Sequence, residues 1–188
     1  DEIPSDLTKN HLVISIVSGA RASDILERIG KTVPVVRAMP NTAIAIGESM
    51  TCLAAVAASA EALETARRIF DTVGKPLVIG EELMIPATAL CACGIAFFLR
   101  CIRAASQGGI EIGFHSDEAL LMAAQTAKGA ASLLLQAEHH PESEIDKVTT
   151  PRGCTIAGLN EMEHQGFSSA MIKGIVTSAD KAGKLFRK

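Results

Sequence analysis

Leu12-Val13-Ile14-Ser15-Ile16-Val17-Ser18-Gly19 is a near-continuous apolar run of strand length that stops at a small-residue turn. A helical pattern follows at once: Ser23-Asp24 opens a short helix and Gly30 closes it. From Val33 to Arg37 the chain is β-branched and extended again. Strand, helix and strand in that order are the pattern of an α/β domain. Ile44 to Leu53 reads as a mixture of short extended pieces. Ser59 then caps a helix whose Leu63, Ala66, Phe70 and Val73 share one face, Gly74 ends it, and Lys75 to Ile79 is the last strand expected.

Beyond Gly80 the pattern changes to helix throughout. Ser116-Asp117-Glu118 opens a long helix with Leu120, Leu121, Ala124, Ala127, Ala131, Leu134 and Leu135 at helical steps. Its many Ala and Gly residues permit close helix contact. With the apolar Leu90 to Ile102 they suggest an intertwined surface for a helical partner, and a single bundle packed on itself is the other arrangement the pattern allows. The expected architecture is α/β over residues 1–80 followed by all-α over residues 81–188.

Val148-Thr149-Thr150-Pro151-Arg152-Gly153-Cys154-Thr155-Ile156-Ala157-Gly158 reads as an anion pocket built onto a helix start. Helical spacing resumes at Ile156 and runs through Leu159, Met162 and Glu163. The N–H groups of Gly153, Cys154 and Thr155 therefore fall where a helix leaves its first donors unpaired, and such donors attract negative charge. Pro151 fixes the approach, Gly153 lets a ligand come close to the backbone, and the hydroxyls of Thr150 and Thr155 add directional contacts. A small carboxylate suits that set. An ordinary Thr-capped helix with a Gly turn before it uses the same residues.

Composition narrows the function classes. With 48% hydrophobic and 21% charged residues over 188 positions, the chain can bury a core. A net charge of −3, no basic run, and no Trp or Tyr argue against a nucleic-acid partner. The apolar stretches read as short and interrupted, and Asp1-Glu2-Ile3-Pro4 lacks the basic-then-apolar layout of a signal peptide, so a soluble, cytoplasmic protein with no membrane partner is expected. Five cysteines (Cys52, Cys91, Cys93, Cys101, Cys154) form no C-x-x-C pair and fit reduced thiols better than a disulfide framework or a metal site. His139-His140 before Pro141 reads as a solvated helix start with Pro in its first turn, and His11, His115 and His164 show no metal-ligand spacing.

The stretch from Val148 continues as Leu159-Asn160-Glu161-Met162-Glu163 and then Gly166-Phe167, and this wording resembles the C-terminal signature of pyrroline-5-carboxylate reductases. Leu12 to Gly19 is similar to that family's late nucleotide-domain strand and turn, and Val36-Arg37-Ala38-Met39-Pro40-Asn41-Thr42 to its R-x-M-P-N-T motif. The order and spacing of the three agree with the family. The resemblance makes residues 1–80 the second half of a Rossmann-like dinucleotide-binding domain and residues 81–188 a helical substrate-binding and dimerisation domain. It implies a homo-oligomer, at least a dimer, whose subunits exchange helices and share each substrate pocket. No G-x-G-x-x-G occurs, and Gly108-Gly109 with Gly113 does not match its spacing, so the glycine-rich phosphate-binding half is expected to be lacking.

The implied reaction is the last step of proline biosynthesis, reduction of 1-pyrroline-5-carboxylate to L-proline with NADPH or NADH as cofactor. The resemblance assigns Ile16, Val17 and Ser18 to the backbone turn at the nicotinamide end of the cofactor, with Asn41 close by and Lys147 next to it. Ile16 and Val17 are equally good buried-strand residues, and Asn41 a plausible turn former. On the substrate side it assigns Thr150, Gly153, Cys154 and Thr155, with Glu81 at an acidic position near the substrate. Thr155 is the residue given a part in the chemistry, as an orienting hydrogen-bond group. The family's S-G-S-G-P-A stretch stands here as Cys91-Ala92-Cys93-Gly94-Ile95-Ala96, which keeps small size and points to close packing. Lys147 replaces a commonly polar position and Arg152 a Gly. A 3-hydroxyacid-dehydrogenase-like reductase and a non-enzymatic helical oligomerisation module are the alternatives. The first should carry a catalytic Lys after a glycine-rich segment, which this chain does not show.

Overall fold

Every residue of strand β2 (Val35–Met39) is buried, as expected of a central strand in a sheet covered on both faces. In this computed structural model, which describes residues 7, 8, 10–29, 33–56, 58–137 and 139–184, β2 pairs in parallel with β1 (Val13–Ser15) and antiparallel with β3 (Ser49–Val56). Strand β4 (Gly74–Val78) adds in parallel to β3, giving a four-stranded sheet in the order β1-β2-β3-β4. Helix α1 (Ala22–Ile29) connects β1 to β2, and α2 (Ala60–Asp71) connects β3 to β4. The first part of the chain is α/β, as its pattern predicts.

The elements depart from the pattern at their edges. Strand β1 is shorter than the apolar run, leaving Ile16 and Val17 63% and 56% exposed past its end. Helix α1 starts at Ala22, one position before Ser23-Asp24, and Asp24 reaches back to the Arg21 N–H at 3.2 Å. Gly30, expected to close it, lies outside the described residues, as does Asp1-Glu2-Ile3-Pro4. Residues 44–53 are not a patchwork of extended pieces. Thr42–Ile46 is a 3₁₀ turn capped by Asn41 and closed by Gly47, and β3 begins at Ser49. The cap and the left-handed Gly47 decide this, since a short apolar run such as Thr-Ala-Ile-Ala-Ile fits either state. Ser59 caps α2 through the Ala62 N–H at 3.1 Å. Gly74 does not end that helix but begins β4. It sits at φ 147°, where a Cβ would collide with the backbone of Ser49, its register partner.

Period-two alternation sorts the central strands onto two faces. Val36, Ala38 and Leu53 pack with Ala66 and Phe70 of α2. Met39, Cys52 and Ala54 pack on the other face with Met84 and Ala87. Arg37 alternates with Val36 and Ala38, so this second face also carries a guanidinium, in a residue only 4% exposed.

From Glu81 the chain is helical: a 3₁₀ turn (Glu81–Leu83), α3 (Met84–Ala87), a π-helical segment (Thr88–Cys93), α4 (Gly94–Glu111), α5 (Ser116–Ala137), α6 (Pro141–Val148), α7 (Cys154–His164) and α8 (Phe167–Lys184). His140 caps α6, with Pro141 in the first turn. Glu81–Glu111 forms a helical run of 31 residues containing an 18-residue stretch of mean hydropathy 1.9, long and apolar enough by length and composition to cross a bilayer. This corrects the reading of short, interrupted apolar stretches. Pro86 falls in the first turn of α3, where its missing N–H is tolerated and the run is not broken.

The chain divides into two compact units, one formed by residues up to Ile95 with those from Gly174 onward, the other by Ala96–Lys173. Within the second unit α4 and α5 approach closely through small residues: a Cβ on Gly109 would lie 3.0 Å from that of the buried Ala119. The same unit leaves Phe98, Leu99, Ile112, Leu121 and Leu135 exposed.

Candidate active site

In the second unit, the connection between α6 and α7 brings Thr150, Gly153, Cys154 and Thr155 together. Thr149 closes α6 by donating its hydroxyl to the Ile145 carbonyl at 2.8 Å. Arg152 takes a left-handed conformation, φ 61°, where a glycine would carry no steric cost. Gly153 is then the N-cap of α7, with no side-chain cap on the helix. One detail of the sequence reading changes: the Gly153 N–H donates to the Thr150 carbonyl at 2.9 Å and is not free. The tight turn uses that donor, so the open first-turn N–H groups are those of Cys154, Thr155 and Ile156.

Gly153 is needed for its lack of a side chain, since a Cβ there would lie 2.5 Å from Thr150 Oγ1. Thr150, Cys154 and Thr155 are exposed. The set presents open backbone donors, the positive end of an 11-residue helix and two hydroxyls, all suited to a small carboxylate. Lys147 also lies in this unit, but its ammonium is 2.6 Å from Glu144 Oε1, an atom that His139 Nδ1 also approaches at 2.7 Å. Hydrogen bonds from Lys147 and then His139 hold the Glu144 carboxyl below the usual carboxylate range.

In the first unit, Ile16, Val17 and Ser18 form an exposed turn after β1 that ends at Gly19, φ 84°. The exposure of Ile16 and Val17 excludes the buried-strand alternative. This turn leaves the carboxyl end of a strand in a parallel β-α-β unit, the place where open α/β sheets bind nucleotides. The turn presents two exposed aliphatic side chains, Ile16 and Val17, and the Val17 N–H donates to Ser15 Oγ at 3.4 Å. Asn41, after β2, is committed within the chain: its N–H donates to Ser49 Oγ at 3.2 Å, its Oδ1 accepts from Ala43 N at 3.0 Å, and its Nδ2 donates to the Cys91 carbonyl at 3.3 Å. It thereby ties the π-helical segment to the sheet. Cys91 Sγ lies 3.9 Å from Cys52 Sγ. Burial, reinforced by Cys91, pushes the Cys52 thiol up to about 12.

Glu81 is held on the same unit. Its Oε1 accepts the Ala22 N–H at 2.7 Å and Arg37 Nη1 at 3.2 Å. The two side chains border a cleft of about 350 Å³ that Gly19, Arg21 and Ser23 also line. Arg37 is the residue that the sequence reading passed over as part of a motif. Its signal was a charge inside the strand Val35-Val36-Arg37-Ala38-Met39, which burial obliges to find a carboxylate. The candidate residues thus fall into two groups: Ile16, Val17, Ser18, Asn41 and Glu81 in the first unit, and Lys147, Thr150, Gly153, Cys154 and Thr155 in the second.

Residues 81–185 match the family model for pyrroline-5-carboxylate reductase dimerisation. The chain is 61% identical to pyrroline-5-carboxylate reductase 1 of Dictyostelium discoideum, over 99% of this chain and 36% of that protein. It is 53% identical to pyrroline-5-carboxylate reductase 2 of the same organism, over 95% of this chain and 64% of the relative. Among solved structures, 1-pyrroline-5-carboxylate reductase from Streptococcus pyogenes superposes with a TM-score of 0.86 at 30% identity, covering 93% of this chain and 68% of that one. The chain thus spans between about one third and two thirds of the length of these two curated relatives.

Proposed function

This chain belongs to the pyrroline-5-carboxylate reductase family, and from that premise we propose that it reduces 1-pyrroline-5-carboxylate to L-proline with NADPH or NADH. The observation that carries the reading is the start of α7, where no side chain caps the helix and Thr150 and Thr155 stand exposed beside Gly153. The open N–H groups of Cys154 and Thr155 bind the substrate carboxylate, with the Thr150 hydroxyl as a further donor. Thr155 Oγ1 hydrogen-bonds the ring nitrogen and sets the face that the imine carbon presents. The imine takes its proton from water, so holding the ring in place is the main task left to the protein. Glu81 is assigned to the substrate by the family resemblance alone, and its Oε1 is engaged by Ala22 and Arg37.

NAD(P)H, when bound, supplies the hydride. The Ile16-Val17-Ser18 turn would hold its nicotinamide end, with Asn41 bracing the π-helical segment of the same unit; Lys147 is assigned to the cofactor by the family resemblance alone. In this reading residues 1–80 serve the nucleotide, and residues 81–188 serve substrate and dimerisation. A second subunit, not lipid, covers Phe98, Leu99 and Leu121, which are 61%, 58% and 70% exposed in one chain. We assign the enzyme to the cytoplasm, whose reducing conditions suit a thiol pair such as Cys52 and Cys91.

Thr155→Val, measured in the complete protein, tests the pocket, since it keeps the shape and removes the directional bond. Loss of a hydrogen bond to a charged partner costs about 1–3 kcal/mol, which is about a 5- to 150-fold fall in kcat/KM for pyrroline-5-carboxylate. The NADPH Kd should stay within about threefold, or about 0.7 kcal/mol. Unchanged kcat/KM in a variant with lowered thermal stability would mean that Thr155 only supports the helix.

A further inference from the structure

The Glu81 carboxylate closes a junction of three segments that are remote in sequence. Ala22 is the first residue of α1 and fully buried, at 0% exposure, so its N–H cannot turn to water for a partner. Glu81 supplies that partner from 59 residues away, acting as a cap brought in from the first residue of the helical run. The same Oε1 takes Arg37 Nη1, whose side chain is 5% exposed and rooted in the central strand. Arg37 Nε has no hydrogen-bond partner among the described residues. Glu81 is therefore the carboxylate that this buried cation has, and the cation holds the carboxylate where Ala22 needs it.

We propose that Arg37 is a positioning residue which, through Glu81, fixes the far end of the Ile16–Gly19 turn. The inference rests on the reading that this turn meets the nicotinamide. One end of the turn is set by the register of β1 on β2, Val13 opposite Val35. The other end is the start of α1, and the Arg37–Glu81–Ala22 chain of contacts sets it from the next residue pair along the same strand face. A turn fixed at both ends presents its backbone in one arrangement. Released at α1, it samples several, and the loss appears in turnover more than in substrate affinity. The pairing also commits Oε1 of Glu81 to these two donors.

The test uses Arg37→Met and Arg37→Lys with readouts in the free and in the working protein. Amide hydrogen exchange over residues 16–24 of the ligand-free protein should quicken about tenfold in Arg37→Met, that is by about 1.4 kcal/mol of lost protection, with little change in β2, β3 and α2. kcat should fall by a similar factor while KM for pyrroline-5-carboxylate moves little. Arg37→Lys keeps the charge and should recover part of both effects. It also serves as the readable variant if Arg37→Met does not fold. Unchanged exchange over residues 16–24, or exchange raised uniformly through the unit with kcat per folded molecule intact, would overturn the proposal. A wild-type protein that carries the glycine-rich nucleotide-binding half and still consumes no NADPH with pyrroline-5-carboxylate would instead overturn the functional reading, and the exchange data alone would then decide whether Arg37 holds the turn.

Discussion

Arg152 shows how a single residue can carry strain next to a site without joining it. Its φ of 61° is a conformation in which a side chain is disfavoured, and it immediately precedes the N-cap Gly153. Arg152→Gly relieves about 1–2 kcal/mol of left-handed strain and gives back about 0.4–1 kcal/mol through a more flexible unfolded chain. A small net gain in Tm is expected, with kcat/KM for pyrroline-5-carboxylate unchanged. A lowered Tm would show that the strain at Arg152 is smaller than the cost of the more flexible unfolded chain. At this scale the sequence disclosed the residues of the α7 start but not their bonding. That Gly153 spends its N–H on Thr150, leaving Ile156 as the third open donor, follows from a turn geometry that residue type does not specify. Arg37 and Glu81 were each visible as charges, but nothing local joins residues 44 positions apart.

Among the elements, those written in local chemistry were legible and those fixed by tertiary partners were not. Ser59 at the start of α2 and Pro141 in the first turn of α6 announce themselves through capping preferences. The 3₁₀ turn at Thr42–Ile46 and the π-helical segment at Thr88–Cys93 do not, because apolar spacing in five or six residues cannot separate neighbouring helical pitches. The antiparallel step between β2 and β3 likewise depends on that turn. The π-helical segment is pinned to the sheet through Asn41 and through Cys91 on Cys52, and this pinning has a pH signature. The Cys52 thiol titrates at about 12 in the folded chain against 9.0 for an ordinary thiol. A raised folded value means that the native state keeps a proton the unfolded chain would release. Its contribution is therefore complete below about pH 9 and is lost as pH rises from there towards 12. Cys52→Ala should flatten the decline of Tm across that alkaline window relative to wild type, whatever its effect at neutral pH. An identical slope in both proteins would show that the thiol is not held as the structure places it.

For the whole molecule, the two units have opposite needs. The sheet unit buries its core within one chain, with Val36, Leu53 and Ala66 below 2% exposure. The helical unit leaves Ile112, Leu121 and Leu135 at 77%, 70% and 71%, so its stability is tied to association. Leu121→Glu should therefore leave a single chain's packing intact yet lower the oligomeric mass seen by light scattering at micromolar concentration. A wild-type chain that scatters as a monomer there would remove the second subunit from the account. The central claim is the chemistry, and it is tested most directly in a protein that also carries the glycine-rich nucleotide-binding half, by following NADPH loss and proline formation together when 1-pyrroline-5-carboxylate is supplied. The account predicts one proline formed for each NADPH oxidised, with no NADPH consumed when the imine is omitted. Tight binding of 1-pyrroline-5-carboxylate without any proline, under conditions that saturate NADPH or NADH, would contradict it.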